Sequence, residues 1–197
     1  MPASEQPTAE LGRPAMYMLW PHGRCAPDVP SLPAAYRLCT IASERLDEAR
    51  AVVEIDGSLS DSQWRRFCDS VVPDGLFVVL ECASSAWVGC ISAVHNPAAT
   101  RFHFPGGGEL GFLVVAPDHR CHGLGAALIA AAVGRLRLGR YRHIFLGVEG
   151  WRLPAIRAYL RSGFQPFIHA PGLAERWRAV FAAFGHEPRE LEWPTSL

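Results

Sequence analysis

One segment in the middle of the chain constrains the fold more than any other, because it joins a strand to a helix through a turn with two glycines. The strand pattern ends at Val115, the turn covers residues 117–122, and helical spacing of apolar residues covers 123–138. An apolar run over residues 144–148 predicts a second strand. A strand, a helix and a strand in this order predict a parallel crossover, and therefore an α/β domain.

The rest of the pattern predicts short strands and helices on both sides of this segment. Apolar runs predict strands over residues 36–40, 76–80, 87–94, 109–115 and 164–169. Helical spacing predicts helices over residues 43–53, after the capping residue Ser60, and over 154–162 and 174–184. The tripeptide Pro73-Asp74-Gly75 predicts a turn before the strand at residue 76.

We divide the chain into three parts. Residues 1–33 are rich in Pro, Ala and Ser and predict an extended arm that docks through Tyr17 and Trp20, with a partly disordered tail as the alternative. Residues 34–170 form one domain, and residues 171–197 form a C-terminal helix and tail packed on it. This helix carries three large apolar groups on one face: Trp177, Phe181 and Phe184. Exposing them would be costly, so we expect them to be buried against the sheet or a second subunit.

The glycine turn has the chemistry of a phosphate site. The first N–H groups of a helix have no partner within the helix, and the helix dipole favours an anion there. Gly123 and Gly125 let the backbone approach a phosphate, and Arg120 adds a positive charge. A Walker loop needs a Lys followed by Ser or Thr, and a dinucleotide fingerprint needs GxGxxG, and this turn has neither. A plain strand-to-helix turn remains the alternative on these residues alone.

Two blocks of sequence resemble motifs of the GNAT superfamily of N-acetyltransferases. The run Arg120-Cys121-His122-Gly123-Leu124-Gly125 is similar to motif A, written Arg/Gln-x-x-Gly-x-Gly/Ala. Residues 152–164 resemble motif B, in which Ala-Ile precedes a Tyr, here Tyr159, and a closing Gly-Phe. The two motifs stand in the right order and are separated by a helix and a strand. The resemblance covers roughly residues 109–167 and is weak before Leu76.

The resemblance implies an α/β fold with a mixed sheet whose central parallel strands splay apart, and acetyl-CoA as the co-substrate bound in the splay. The backbone of Leu113, Val114 and Val115 would pair with the pantetheine arm. Arg120 and the residues that follow it would hold the pyrophosphate: Cys121, His122, Gly123, Leu124, Gly125 and Ala126. Arg152 departs from motif B, where an Asn is common, and could reach either CoA or the acceptor.

Acetyl transfer to an amine requires a base for the amine, a donor for the oxyanion and an acid for the leaving thiolate. The resemblance gives Glu109 as the base, eleven residues before the arginine of motif A, with Glu149 as the alternative base and a solvated carboxylate as the structural alternative. Tyr159 of motif B would be the acid, with a core tyrosine as the alternative. A backbone N–H within residues 114–115 would be the oxyanion donor.

Charge and cysteine content exclude several classes of function. The chain has 19 Lys and Arg against 19 Asp and Glu, so nothing favours binding to nucleic acid or an anionic membrane. Six cysteines form no CxxC pair and no two histidines have zinc spacing, which predicts no metal site and a reduced, cytoplasmic protein. No secretory signal pattern opens the sequence, and no apolar run reaches the length of a membrane span.

The sequence therefore predicts an acetyl-CoA-dependent N-acetyltransferase that acts by direct transfer in a ternary complex. Its expected acceptor is a small molecule or peptide that bears an amine. A catalytically silent acyl-CoA-binding sensor or scaffold is the alternative: both need Arg120, Gly123 and Gly125, but only the enzyme needs Glu109 and Tyr159. A transferase for a longer acyl group also stays open. Dimers are frequent among similar proteins, and the sequence does not decide whether this chain forms one.

Overall fold

The computed structural model describes residues 15–95, 104–185 and 193–195 of the 197-residue chain. Within these residues the strands are β1 (Met16–Leu19), β2 (Tyr36–Ile41), β3 (Val71–Glu81), β4 (Trp87–Val94), β5 (Gly108–Val115), β6 (Ile144–Val148) and β7 (Gln165–Phe167). The α-helices are α1 (Arg50–Val53), α2 (Asp61–Ser70), α3 (Leu124–Leu138), α4 (Leu153–Ser162) and α5 (Leu173–Ala183). Short 3-10 helices cover Ser43–Ala49, Glu54–Asp56 and Pro117–His119.

The seven strands form one mixed sheet in the order β2-β3-β4-β5-β6-β1-β7. Neighbouring strands are antiparallel except β5 and β6, which are parallel and are connected through α3. These two strands pair at Gly108 with Ile144 and at Glu109 with Phe145, and beyond that point they separate. The predicted mixed sheet with splayed central strands is thereby confirmed.

Helix α3 fills one face of the sheet. It is apolar on most sides because it is enclosed between the sheet and α4, and eight of its residues are buried: Leu124, Ala127, Leu128, Ile129, Ala130, Ala132, Val133 and Leu136. Gly139 ends it, as the sequence predicts. Although α3 is apolar, none of the described helices combines the length and apolarity needed to cross a membrane.

The opposite face is covered by α1 and α2 over strands β2 to β5. Val53, Trp64 and Phe67 pack there in one cluster with Cys90 and Val114. The helix predicted after Ser60 is confirmed: the Ser60 hydroxyl accepts a hydrogen bond from the Gln63 N–H, and the Gln63 side chain accepts one from the Ser60 N–H.

Two local predictions differ from the structure. The helix predicted over residues 43–53 is a 3-10 helix followed by the single turn of α1, and Arg45 pairs with Glu48 at 2.7 Å, a spacing of three residues that suits a 3-10 helix. Asp74 has a positive φ of 53°, yet the chain does not reverse there. Instead, residues 72–75 are an irregularity inside β3, because the register with β4 shifts between Val71 and Leu76.

The N-terminal segment differs most from its prediction. Residues 16–19 are not part of a separate arm but form strand β1, which lies between β6 and β7 and is antiparallel to both. Met18 stands opposite Leu146 on one side and Pro166 on the other. Four residues are too few to show an alternating pattern in a Pro-rich context, and both partners are more than a hundred residues away. Tyr17 and Trp20 do dock, as predicted, but as members of the sheet and its core.

The C-terminal helix packs on the domain, with a face that is rotated from the predicted one. Trp177 is fully buried, whereas Phe181 and Phe184 are only half-buried, because the buried side of α5 is formed by Leu173, Trp177 and Val180. The tail returns to the sheet: the Trp193 ring stacks on Phe181 with centroids 5.7 Å apart, and the Ile168 N–H donates to the Pro194 carbonyl at 3.0 Å.

If β1 is paired on both sides in the interior of the sheet, Met18→Ala should destabilise the protein strongly. Met18 is fully buried, and truncating a buried Met to Ala typically costs about 2–5 kcal/mol. Urea denaturation measures this difference. Leu138→Ala is the control, since Leu138 is 79% exposed and its truncation should cost under about 0.5 kcal/mol. Equal stability of the two variants would contradict the placement of β1.

Candidate active site

The gap between β5 and β6 begins at a β-bulge. Ser92 of β4 stands opposite Gly111, but Cys90 stands opposite Val114, so β5 has one extra residue in this stretch. Phe112 adopts a left-handed backbone conformation at the bulge, with a φ of 48°. The Cys90 thiol donates a hydrogen bond to the Phe112 carbonyl at 3.6 Å. A bulge bends its strand, and here the bend turns the second half of β5 away from β6.

The glycine turn lies where β5 ends and α3 begins. Gly123 has a φ of 78° and stands directly before the helix, which therefore starts without a side-chain cap. A Cβ built on Gly125 would meet nothing within 4 Å, so open space lies in front of the first turn. Leu124 is buried and fixes the helix start to the core, while Cys121 and His122 are exposed. This arrangement fits a diphosphate held by backbone N–H groups.

Two aromatic contacts steady the turn from the side of β2. The Tyr36 hydroxyl lies 3.1 Å from His119 Nδ1, and the Tyr36 ring lies 5.6 Å from the His122 ring. His122 Nδ1 is 3.2 Å from the His119 carbonyl, so this nitrogen contacts backbone rather than Cys121. The histidines therefore act on the shape of the turn, and no nucleophile–base pair of Cys121 and His122 forms here.

Arg120 and Arg152 meet the same carboxylate across the open end of the gap. Asp56 Oδ1 lies 3.7 Å from Arg120 Nη2, and Asp56 Oδ2 lies 3.3 Å from Arg152 Nη1. Arg120 also donates from Nε to the Val115 carbonyl at 2.9 Å, which ties it to the end of β5. Arg152 Nε is 3.1 Å from Glu149 Oε2, a close ion pair without the geometry of a hydrogen bond. The motif A and motif B arginines thus belong to one site.

Sequence reasoning missed Asp56. It lies on the 3-10 helix Glu54–Asp56, which contacts β5, and it is separated from Arg120 by more than sixty residues. The Asp56-Gly57 pair is a turn signal, but nothing in the local pattern indicates which side chains the carboxylate meets.

The two candidate bases lie far apart. Glu109 is half-buried at the closed end of the gap, beside Phe145 on β6 and Val94 on β4. Side chains alternate along a strand, so Phe145 and Gly147 share the face of Glu109, whereas Glu149 follows directly after the end of β6. Glu149 is about 13 Å further along the strand, at the open end, and half of its side chain is exposed. The two carboxylates cannot serve the same atom.

Tyr159 lies on α4, buried in the core with its ring 5.8 Å from the Phe164 ring. Burial raises the pKa of this phenol well above its usual range, the Arg152 charge lowers it in part, and Glu149 adds to the increase. The phenol is therefore protonated at every physiological pH and can donate a hydrogen bond.

Other features of the described residues do not add to this site. No group of three His, Cys, Asp or Glu side chains within residues 15–95, 104–185 and 193–195 is arranged to hold a metal. A separate groove of about 460 Å³ lies between α1, the 3-10 helices on either side of α1, and the end of the β3–β4 hairpin. It is lined by Arg45, Glu48, Ala51, Val52, Ile55, Ser85 and Trp87. None of the predicted site residues lines it.

Comparison with known proteins agrees with the fold. The profile of the acetyltransferase (GNAT) family matches residues 40–164. A GCN5-related N-acetyltransferase from Sphaerobacter thermophilus is 20% identical with a TM-score of 0.61, over 78% of this chain and 49% of that chain. A tandem GNAT protein from the clavulanic acid biosynthesis pathway is 25% identical with a TM-score of 0.58, over 77% of this chain and 50% of that chain.

A third similar structure is the NatC complex bound to Gag peptide and CoA, with 20% identity and a TM-score of 0.55 over 65% of this chain and 83% of that chain. The chain spans about half the length of the first two structures. No curated protein sequence matches it significantly.

The open space at Gly125 gives a test of the diphosphate site. Gly125→Val should leave the fold intact, because its Cβ meets nothing within 4 Å, but it should block the approach of a phosphate. Losing one hydrogen bond to a charged group costs about 1.5–3 kcal/mol, so the Kd for acetyl-CoA should rise at least about tenfold in calorimetry. Gly134→Val is the matched control, on the same helix and with equal space. Unchanged affinity in a folded Gly125→Val protein would rule out this placement.

Proposed function

The chain belongs to the acetyltransferase (GNAT) family, and from this premise we propose that it transfers an acetyl group from acetyl-CoA to an amine, with both substrates bound at once. The observation that carries the proposal is the position of the gap between β5 and β6. It opens at the bulge of Phe112 and leads directly to the glycine turn, while Glu109 stands at its closed end. Strand β5 thus runs from the candidate base near its start to the glycine turn beyond its end.

Acetyl-CoA supplies a thioester, whose carbonyl carbon is attacked by the amine and whose sulfur leaves as a thiolate. The backbone of Leu113, Val114 and Val115 borders the gap and would hold the pantetheine arm. The turn from Cys121 to Ala126 would hold the pyrophosphate, with Arg120 beside it. A backbone N–H of Val114 or Val115 would donate to the carbonyl oxygen as negative charge develops there.

Glu109 would take the proton of the amine, directly or through a water molecule. An ammonium has no lone pair, so the proton must leave before the nitrogen can attack. In the balanced reaction a C–N bond forms and the C–S bond breaks. The ammonium first gives one proton to Glu109, and the nitrogen loses a second proton once the C–N bond has formed. This second proton balances the one that the thiolate receives at sulfur.

Tyr159 would give that second proton. The buried phenol stays protonated, as a proton donor must. Arg152 would bring positive charge near CoA or the acceptor. Ion pairs with Asp56 and Glu149 hold the Arg152 guanidinium in place.

Replacing each candidate base in turn shows which of the two acts in catalysis. Glu109→Gln should lower kcat by about a hundred- to ten-thousandfold, the usual loss for a general base, while acetyl-CoA affinity stays near that of the wild type. The acidic limb of the kcat/KM profile should disappear with it. Glu149→Gln is the matched control and should cost little, because Glu149 lies at the other end of the gap and is paired with Arg152.

The reverse result, a large loss in Glu149→Gln alone, would make Glu149 the base. If wild-type protein binds acetyl-CoA but releases no CoA with any amine in a broad panel, the silent acyl-CoA-binding module replaces the enzyme.

Tyr159→Phe should lower kcat less than Glu109→Gln does, because water can also protonate a thiolate. The variant should fold, since the ring and its contact with Phe164 are kept. Because its pKa is raised far above neutral, Tyr159 should not create a basic limb between about pH 7 and 9 in the wild type. A stopped assay of CoA release over this pH range measures both effects, and full activity of the variant would show that Tyr159 is only a core residue.

A further inference from the structure

Two apolar clusters on the Glu109 face of the sheet leave a cleft between them. One cluster lies under α1 and α2 and includes Phe67 and Val114. The other lies over β6, β1 and β7 and is mostly aromatic: Leu19, Phe104, Phe145 and Phe167, with Tyr17 against them. The boundary between the clusters is the place where β5 and β6 separate. An acceptor that reaches Glu109 from this face must pass between them.

The floor of the cleft is Gly147. It is exposed although it lies on β6, in the interior of a seven-stranded sheet. Among the described residues, a Cβ on Gly147 would meet the Tyr17 ring alone, at 3.6 Å and 3.9 Å. Space that a side chain would normally fill is therefore open here. Gly111 on the neighbouring strand does not extend this open space, because a Cβ there would meet the Ser92 hydroxyl at 2.9 Å.

The walls of the cleft are aromatic. Phe112 is 39% exposed and meets the Phe67 ring edge to face at 4.9 Å. On the other side, Tyr17 stands opposite Gly147, and its ring lies 5.4 Å from both Phe104 and His169. Strands β5 and β1 are separated by β6, so their backbones are about 10 Å apart, and more where β5 bends away. This width admits a flat ring lying on Gly147.

The charges at the open end compensate one another. Asp56 is shared between Arg120 and Arg152, and Glu149 is paired with Arg152. A highly charged acceptor body would have to break these pairs, whereas an apolar body leaves them intact. The exposed aromatic surface of Phe112, in contrast, gains from being covered.

We propose that the acceptor is a primary amine on a short chain attached to an aromatic ring, and that the ring lies on Gly147 between Phe112 and Tyr17. The amine then points towards Glu109 at the closed end of the gap. This inference rests on the proposed acetyl transfer and adds the chemical class of its acceptor. The group-transfer step is unchanged: the ring only positions the nitrogen that forms the C–N bond.

The test compares amines of matched reactivity and variants of the floor. The wild type should acetylate 2-phenylethylamine with a kcat/KM at least tenfold above that of propylamine, and above that of spermidine and glycine amide. Gly147→Ala and Gly147→Val should raise the KM for 2-phenylethylamine progressively, with a smaller change for propylamine. Both variants should fold, because the added atoms meet only the edge of one ring. Gly134→Ala, on α3 with open space, is the control for a change of glycine itself.

Calorimetry of 2-phenylethylamine added to the CoA-saturated protein measures binding and therefore tests the inference without requiring turnover. A heat of binding that is measured with the wild type and lost in Gly147→Val supports the cleft. If acetyl transfer is then not observed, only the proposed function fails. Conversely, efficient acetylation of propylamine or spermidine, with no preference for a ring and no effect of Gly147→Val, overturns the inference and leaves the acetyltransferase intact. No binding and no turnover of any ring-bearing amine overturns it as well.

Discussion

The short parallel contact between β5 and β6 is the constraint on which the rest of the structure depends. Two register pairs hold the strands together at Gly108 and Glu109, and the bulge at Phe112 then turns β5 away. Backbone groups in the interior of a sheet normally pair with a neighbouring strand. Here the second half of β5 pairs with β4 on one side and borders the gap on the other, and such a strand edge is suited to an extended, amide-containing ligand. The same divergence lies between two separate apolar clusters on the face of the sheet that carries Glu109.

Local signals were sufficient for the parts of this architecture that are built from neighbouring residues. The turn with Gly123 and Gly125, the α3 and α4 helices and the Ser60 cap depend on contacts within a few positions, and the sequence predicts each of them. The two motifs also predict the splay, because they resemble those of a family with that geometry. The roles of Glu109 and Tyr159 remain predictions that the structure makes geometrically reasonable.

The sequence pattern does not predict contacts between residues that lie far apart in the chain. Strand β1 is defined by partners on β6 and β7, and its four residues show no periodicity of their own. Asp56 becomes a member of the site only through Arg120 and Arg152, which lie on different elements. The Pro73-Asp74-Gly75 tripeptide has turn chemistry, but pairing of β3 with β4 on both sides keeps the chain within one strand. In each case tertiary contacts decide what the local sequence leaves open.

The position of β1 also bears on how the chain is synthesised and folded. Ribosomes deliver residues 16–19 early, whereas the strands that flank them are completed only after residues 148 and 167 have been made. During translation the first strand has no partner, and β6 and β7 cannot join into a continuous sheet without it. Closing such a long loop is slow, because its entropy must be lost before the contacts form. Pairing of β1 with β6 and β7 therefore brings together segments that lie more than a hundred residues apart in the chain.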